Sequence, residues 1–358
     1  IRLRRFPIFY DAANCLNTLH HRRRFSCILK MESNDDTQAS SEMFVSQYVD
    51  GFQIPFMFPT EEFRSAMQYK PRPGDLFIVT YPKCGTTWVQ HILVLIFRQG
   101  EPLECPKEFY LSTPFMDVRG AKSAENLPRP NAIKTHLPFH LVPWSEQAKY
   151  IYVARNPKDC CVSYFHHTKN IPRHGFKGSF DQYFEMFLSG KVDYGDYFDH
   201  LMEWYEHRND PNVMFLTYEQ IQEDTETSVL KMASFIDDEK YAEPLRKDRQ
   251  ILNNILEFSS FQYMKEAAKK RIDVIASMTD DEIQNSDLPD GEKRRYSRIR
   301  QEVANRKELN THTMDNIRKG IVGDWRNYFS EDQSRRLNEK FEERTKGTEL
   351  GNLWKKYM

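Results

Sequence analysis

Residues Leu76 to Phe97 read LFIVTYPKCGTTWVQHILVLIF, and this stretch decides the fold. Leu76 to Thr80 is a short β-rich run behind the turn Pro73-Gly74; Tyr81 to Gly85 interrupts it, and the segment from Thr86 to Phe97 is apolar. Strand, loop, helix is the predicted order. The pattern recurs at Tyr150 to Ala154, followed by Arg155-Asn156-Pro157 and a helix through Asp159 to His167. It recurs again at Val213 to Thr217, leading to Glu219 and another helix. Strands alternating with helices predict an α/β domain whose central parallel sheet carries helices on both faces. Ligands of such sheets bind at the carboxyl ends of the strands, where all three segments carry their unusual residues.

The loop Lys83-Cys84-Gly85-Thr86-Thr87 has what a phosphate needs. It offers a Gly for close backbone approach, free amides at a helix N-terminus, two hydroxyls and a cation. It is not a Walker A loop, whose Lys follows the second Gly and whose Ser/Thr takes magnesium, because here the Lys precedes the only Gly. The alternative is an ordinary turn with a capping Thr and a solvated Lys. Arg155 and Ser163, eight residues apart, supply a bidentate cation and a hydroxyl for a second phosphate, unless Arg155 merely pairs with Asp159.

Ile133 to His136 can run as a strand, and its period of two puts Lys134 and His136 on one face. If that face adjoins the Lys83 loop, His136 is a general base for an acceptor hydroxyl or amine. Arg318-Lys319-Gly320 and Gly323-Asp324-Trp325-Arg326 read either as a cationic flap that closes on a phosphate or as a basic helix end capped by Gly.

Composition bounds the rest. The chain has 358 residues, 39% hydrophobic and 13% aromatic, enough for a sizeable core. Its 51 Lys and Arg nearly balance 52 Asp and Glu, so no global field recruits nucleic acid or an anionic membrane, and any anion site is local. The longest apolar stretch, Ile92 to Phe97, is far short of the roughly 18 residues that span a bilayer. Six cysteines without a C-x-x-C pair, and no N-x-S/T sequon, favour a reducing, cytoplasmic location. No His/Cys/Asp cluster has metal-ligand spacing, so no metal is expected.

Residues 1–44 are predicted to stand outside the fold and residues 45–358 to form the domain. The first thirty carry seven basic residues against the single acid Asp11, and composition changes at Met31. That is either an Arg-rich presequence or a dispensable leader. The charged stretch Thr279 to Asn310 is expected to be a lid or surface excursion. Phe115 and the aromatic segment Phe180 to Tyr205 are candidates for apolar pocket walls, although Tyr183, Phe184 and Phe187 recur at helical spacing and suit a core equally well.

Together the motifs resemble the cytosolic sulfotransferases, over roughly residues 45 to 355 and in the family order. Tyr81 to Trp88 resembles their 5′-phosphosulfate loop and Lys134 to Pro138 the segment with their catalytic histidine. Ala154 to Ser163 resembles their 3′-phosphate site, and Arg318 to Trp325 their RKGxxGDW element. The resemblance implies a P-loop-NTPase-like sulfotransferase fold and 3′-phosphoadenosine 5′-phosphosulfate (PAPS) as donor. Lys83, Cys84, Gly85, Thr86 and Thr87 would hold its 5′-phosphate, and Trp88 would stack on adenine. Arg155, Ser163, Arg318, Lys319 and Gly320 would form the 3′-phosphate site, with Tyr218, Ser259, Phe261 and Met264 as further adenosine contacts. His136 would be the base, with Lys83 and Lys134 beside the transferred group.

The expected acceptor is a small molecule: a phenol, a catecholamine-like amine or a hydroxysteroid. Asp193, Asp196 and Asp199 are candidates to meet an amine. Position 84 is more often Ser in relatives; a thiol beside a cation at a helix N-terminus favours thiolate, which makes oxidation of Cys84 a route to impaired donor binding, unless the Cys is a neutral replacement. The family's dimer motif aligns with Arg326 to Arg335 but keeps only its basic start, leaving monomer or dimer open. A magnesium-dependent kinase would need a Lys after Gly. A silent protein that sequesters the nucleotide or an aromatic ligand stays open, and the missing membrane anchor disfavours a Golgi carbohydrate sulfotransferase.

Overall fold

Strands β1 (Ser46–Val49) and β2 (Phe52–Pro55) pair as an antiparallel hairpin. Behind it β3 (Leu76–Val79), β4 (Ala132–Thr135), β5 (Lys149–Ala154) and β6 (Val213–Thr217) form a parallel sheet in the order β4-β3-β5-β6. The structure is a computed structural model that describes residues 44–103, 106–125, 127–129, 131–286, 288, 290–304 and 317–358. These fall in one compact unit, Glu42–Met358. The basic leader, apart from Phe44, lies outside the described residues, as do positions 305–310 of the charged stretch and Cys15, Cys27 and Cys105.

The sheet is buried on both faces, and alternation along each strand divides its side chains between two cores. Phe77, Val79, Ile133, Tyr150, Tyr152 and Ala154 pack on one side with residues of helices Pro157–Asn170, Phe180–Leu188 and Tyr197–Glu206. Leu76, Ile78, Ala132, Ile151, Val153 and Leu216 pack on the other with Thr86–Phe97, Thr225–Asp237 and Arg249–Phe258. Helix Thr86–Phe97 carries no charged residue, and Val89, Ile92, Leu93, Leu95 and Ile96 seal it to the sheet. The predicted α/β architecture is the one observed.

Register places the functional edge. Val79 pairs with Thr135 and with Tyr152, and Ala154 pairs with Thr217. The first residues beyond the four strands are therefore Thr80, His136, Arg155 and Tyr218, all at the carboxyl edge of the sheet. Two of these are predicted phosphate or base residues, and all four belong to the cavity or its frame.

The aromatic segment Phe180 to Tyr205 is core rather than pocket wall: Tyr183, Phe184 and Phe187 are buried inside, and Tyr194 alone of that segment lines the cavity described below. The charged stretch after Thr279 begins as helices Asp280–Asn285 and Asp290–Ala304, which share a small apolar core, Ile275, Ile283, Leu288 and Tyr296, with helix Phe261–Ser277. At the degraded dimer motif, Ser330 caps helix Glu331–Arg344 with Gln333 completing the capping box. Among the described residues no helix is long and apolar enough to cross a membrane.

Candidate active site

One cavity of about 1620 Å³ opens at the carboxyl edge. Of the sequence-predicted site residues, Lys83, Gly85, Thr86, Thr87, Trp88, Lys134, His136, Arg155, Ser163, Tyr218, Ser259, Phe261, Met264, Arg318, Lys319 and Gly320 all line it. Cys84 does not. Its side chain is fully buried, with Sγ 3.7 Å from Cys160 Sγ, and its backbone N–H already donates to Tyr81 O at 3.3 Å. Burial pushes its thiol pKa well up, so the expected thiolate character is reversed: desolvation outweighs the nearby Arg155.

The loop between β3 and the following helix is bent into an unusual path. Lys83 has φ 72° and Gly85 φ 97°, both in the left-handed region that β-carbons disfavour. A Cβ on Gly85 would stand 2.7 Å from Tyr218 Cδ2, so only Gly lets the loop lie against that ring. The helix begins at Thr86 with no side-chain cap, which leaves its first amides directed at the cavity edge. The Arg155 guanidinium sits 4.4 Å from the Tyr218 ring centroid and donates to Lys83 O and Ile321 O, both at 3.2 Å. Arg155 does not pair with Asp159, which instead accepts from Gly323 N and Trp325 N and so anchors the Arg318 to Trp325 segment.

Lys83 Nζ lies 3.5 Å from His167 Nδ1. Burial, then the charges of Lys134, Arg155 and Arg318, push its pKa down to about 7. Arg318 and Lys319 both pair with Asp324, at 2.6 and 2.8 Å. Buried polar atoms without a protein hydrogen-bond partner concentrate here: Trp88 Nε1, Arg155 Nε, Ser259 Oγ and Arg318 Nε. All four belong to residues that line the cavity. A polyanionic nucleotide has the acceptors such donors lack, so the residues present fit the expected donor.

His136 is held from three directions. Its Nδ1 lies 2.8 Å from Thr80 O, an acceptor, so Nδ1 carries the proton and Nε2 is the basic nitrogen. Its backbone N–H donates to Asp117 Oδ2 at 2.9 Å, and its ring lies edge-on between Phe115 (5.1 Å) and Tyr194 (5.3 Å). Burial, with Lys134 next, pushes its pKa well down, keeping the imidazole neutral. Lys134 Nζ sits 4.1 Å over the Phe115 ring.

Sequence reasoning missed Thr80, Asp117 and His167, and took in Tyr194 only as part of the aromatic segment Phe180 to Tyr205. Asp117 is fully buried and accepts from Thr135 Oγ1, His136 N and Tyr194 OH at 2.6, 2.9 and 2.8 Å. Nothing in the sequence around it marks this role, because the bridge from Phe115 to Lys134 sets Asp117 beside the end of β4, and the third donor, Tyr194, comes from far along the chain. The acidic residues raised for an amine acceptor are elsewhere: Asp196 pairs with Lys340, Asp199 with Arg344, and Asp193 accepts from Ser46 Oγ at 2.8 Å. None lines the cavity. Among the described residues, no group of three or more His, Cys, Asp or Glu could hold a metal ion.

A family model of the sulfotransferase domain matches residues 73–349. Among curated proteins, sulfotransferase 1 family member D1 of Mus musculus is 33% identical over 315 residues, covering 84% of this chain and 92% of that protein. Sulfotransferase 1E1 of Homo sapiens is 31% identical over 284 residues, covering 76% and 83%. Among solved structures, mouse sulfotransferase SULT7A1 complexed with PAP superposes with a TM-score of 0.63 at 27% identity, covering 87% of this chain and 98% of that one. Retinol dehydratase, in complex with androsterone and inactive cofactor PAP, shares the fold, with a TM-score of 0.61 at 22% identity and coverage of 86% and 92%.

Proposed function

The chain belongs to the sulfotransferase domain family, and on that premise we propose that it moves the sulfuryl group of PAPS to a hydroxyl of a small acceptor, with His136 as general base. The acceptor oxygen attacks sulfur while its proton passes to His136 Nε2. The bond from sulfur to the 5′-phosphate oxygen breaks, and the nucleotide leaves as the 3′,5′-bisphosphate. Negative charge grows on that bridging oxygen, where Lys83 and the first amides of helix Thr86–Phe97 stabilise it. Lys134, in the same cavity, adds a second cation beside the transferred group.

The observation that carries the reading is the tautomer: a buried imidazole whose Nδ1 is committed to Thr80 O presents Nε2 in the cavity that also holds Lys83 and Arg155. Phe58, Phe115 and Tyr194 supply flat apolar walls, which suit an aromatic or alicyclic hydroxyl. We place the reaction in the cytoplasm, a reading supported by the free thiols of Cys84, Cys160 and Cys161. The test is purified protein with PAPS and a panel of phenols, catecholamines and hydroxysteroids, read by mass spectrometry. Sulfonated product supports the reading. Tight PAP binding with no product from any acceptor identifies a silent binder and contradicts it.

A further inference from the structure

Two carboxylates, Asp159 and Glu219, lie close enough to Arg155 to act on its charge, and this buried arginine pairs with neither. Among the described residues its guanidinium donates only to backbone carbonyls, those of Lys83 and Ile321, and its Nε is buried without a hydrogen-bond partner. An arginine beside carboxylates ordinarily closes its fork on one of them, because charge-assisted hydrogen bonds are about twice as strong as neutral ones. Other groups hold these two acids away.

Both carboxylates are occupied by N–H donors. Glu219 Oε1 accepts from Asn156 N at 2.9 Å and from Asn156 Nδ2 at 2.8 Å, and its Oε2 accepts from Trp354 Nε1 at 2.8 Å. Asp159 Oδ2 accepts from Asn156 Nδ2 at 2.8 Å and from Gly323 N at 2.6 Å, and its Oδ1 from Trp325 N at 3.0 Å. Asn156 is common to both sets. Its amide N–H₂ bridges the two acids, while its Oδ1 accepts from Asp159 N and caps helix Pro157–Asn170. Asn156, Asp159 and Glu219 are buried behind the cavity, whereas Arg155 and Tyr218, which precede Asn156 and Glu219 in the chain, line it. Burial acts against the Arg155 charge, and Tyr218, Asp159 and Glu219 offset it and leave its pKa raised. The acids thus supply counter-charge while the fork stays open.

We propose that Asn156 is a positioning residue for donor selectivity: by holding Asp159 and Glu219 it keeps the Arg155 guanidinium open to the donor's 3′-phosphate. The inference rests on the sulfotransferase reading above, with Arg155 at the 3′-phosphate, and deepens it by naming what lets the site choose a 3′-phosphorylated nucleotide. Without the bridging amide, the freed lone pairs of Glu219 and Asp159 turn to the guanidinium, and the phosphate has to displace them.

The experiment measures dissociation constants of PAP and of adenosine 5′-monophosphate, which lacks the 3′-phosphate, by calorimetry on the full chain. The variants are Asn156→Ser, Arg155→Gln and the two combined. Serine still caps the helix but has no N–H₂ for the bridge. Asn156→Ser should weaken PAP by about tenfold or more and the monophosphate by no more than about twofold. Arg155→Gln should lower the same selectivity, and adding Asn156→Ser to it should change PAP affinity by no more than about twofold further, because the two residues act as a unit. Trp354→Phe frees Glu219 Oε2 and leaves Asn156 and its cap in place. It should weaken PAP by about threefold or more with the monophosphate again within about twofold, and it carries the test if Asn156→Ser does not fold.

Equal weakening of both nucleotides would make Asn156 a support for the whole pocket and overturn the inference. So would a full additional loss when Asn156→Ser is added to Arg155→Gln, or PAP affinity within about twofold of wild type in both Asn156→Ser and Trp354→Phe. A wild type that binds the monophosphate as tightly as PAP contradicts the donor reading itself, and an Arg155→Gln variant that keeps the selectivity contradicts the placing of the 3′-phosphate at Arg155; the inference falls with either.

Discussion

His136 Nδ1 and Thr80 O are 2.8 Å apart, and that bond joins the proposed base to the end of the strand that leads into the Lys83 loop. Thr80 Oγ1 in turn shares a 2.6 Å hydrogen bond with Thr86 Oγ1, at the first position of the helix that follows. His136 and the start of that helix are thus fixed to each other through Thr80. Both depend on the β3–β4 register, in which Val79 stands opposite Thr135.

Asp117 completes the frame from the other side, and it is a positioning residue rather than a catalytic one. Its carboxylate takes hydrogen bonds from three groups, so Asp117→Asn must set an amide N–H₂ against a donor. We expect a stability loss of about 1–3 kcal/mol and a kcat reduced more than the PAP affinity. A variant whose melting temperature falls while its kcat per folded molecule is unchanged would show that the frame is structural only.

Lys83 links donor binding to pH. With its pKa pushed down to about 7 in the unliganded protein, Lys83 is protonated below that value and increasingly neutral above it. A bound phosphosulfate or bisphosphate favours the charged form and raises the pKa, so binding takes up a proton only when Lys83 starts neutral. PAP affinity should therefore decline as pH rises beyond 7. Calorimetry in buffers of different ionisation enthalpy should detect close to one proton taken up at pH 8 and much less at pH 6. In Lys83→Arg, which stays charged throughout, the uptake should vanish.

Gly85→Ala should act on the donor site. The new Cβ meets the Tyr218 ring at a backbone φ of 97°, and Arg155 packs on that same ring. Strain of about 1–2 kcal/mol at the loop should weaken PAP binding by about tenfold. Unchanged affinity would mean that the loop's path is not what holds the phosphate.

Cys84 should be inert. A fully buried thiol with a raised pKa reacts slowly with alkylating agents and peroxide, so wild type and Cys84→Ser should lose activity alike under peroxide. Protection of activity by the Ser substitution would show that the loop opens and exposes the thiol.

Much of this site was legible in the sequence because its residues follow strand ends directly. Lys83, His136 and Arg155 sit at or just beyond short apolar runs, and a parallel sheet brings such positions to one edge. Strand β3, the helix after it and strand β6 lie within one residue of where alternation and β-branched content put them. The remainder depends on partners far apart in the chain. Asp117 and Tyr194 are separated by 77 residues, and neither stands in a recognisable motif. The thiol at position 84 was misread because spacing shows a neighbouring cation but not the depth of burial, and burial dominates. The aromatic segment after Phe180 was ambiguous for the opposite reason: helical spacing of large rings looks the same whether the helix faces a core or a ligand.

The central claim is that His136 takes the acceptor's proton while other residues hold the nucleotide. The most direct measurement is kcat for a phenol together with the PAP dissociation constant, in wild type and His136→Ala. The account predicts a kcat lower by about 100-fold or more with PAP affinity within about threefold. A kcat within about twofold of wild type, or a loss confined to nucleotide affinity, would contradict it.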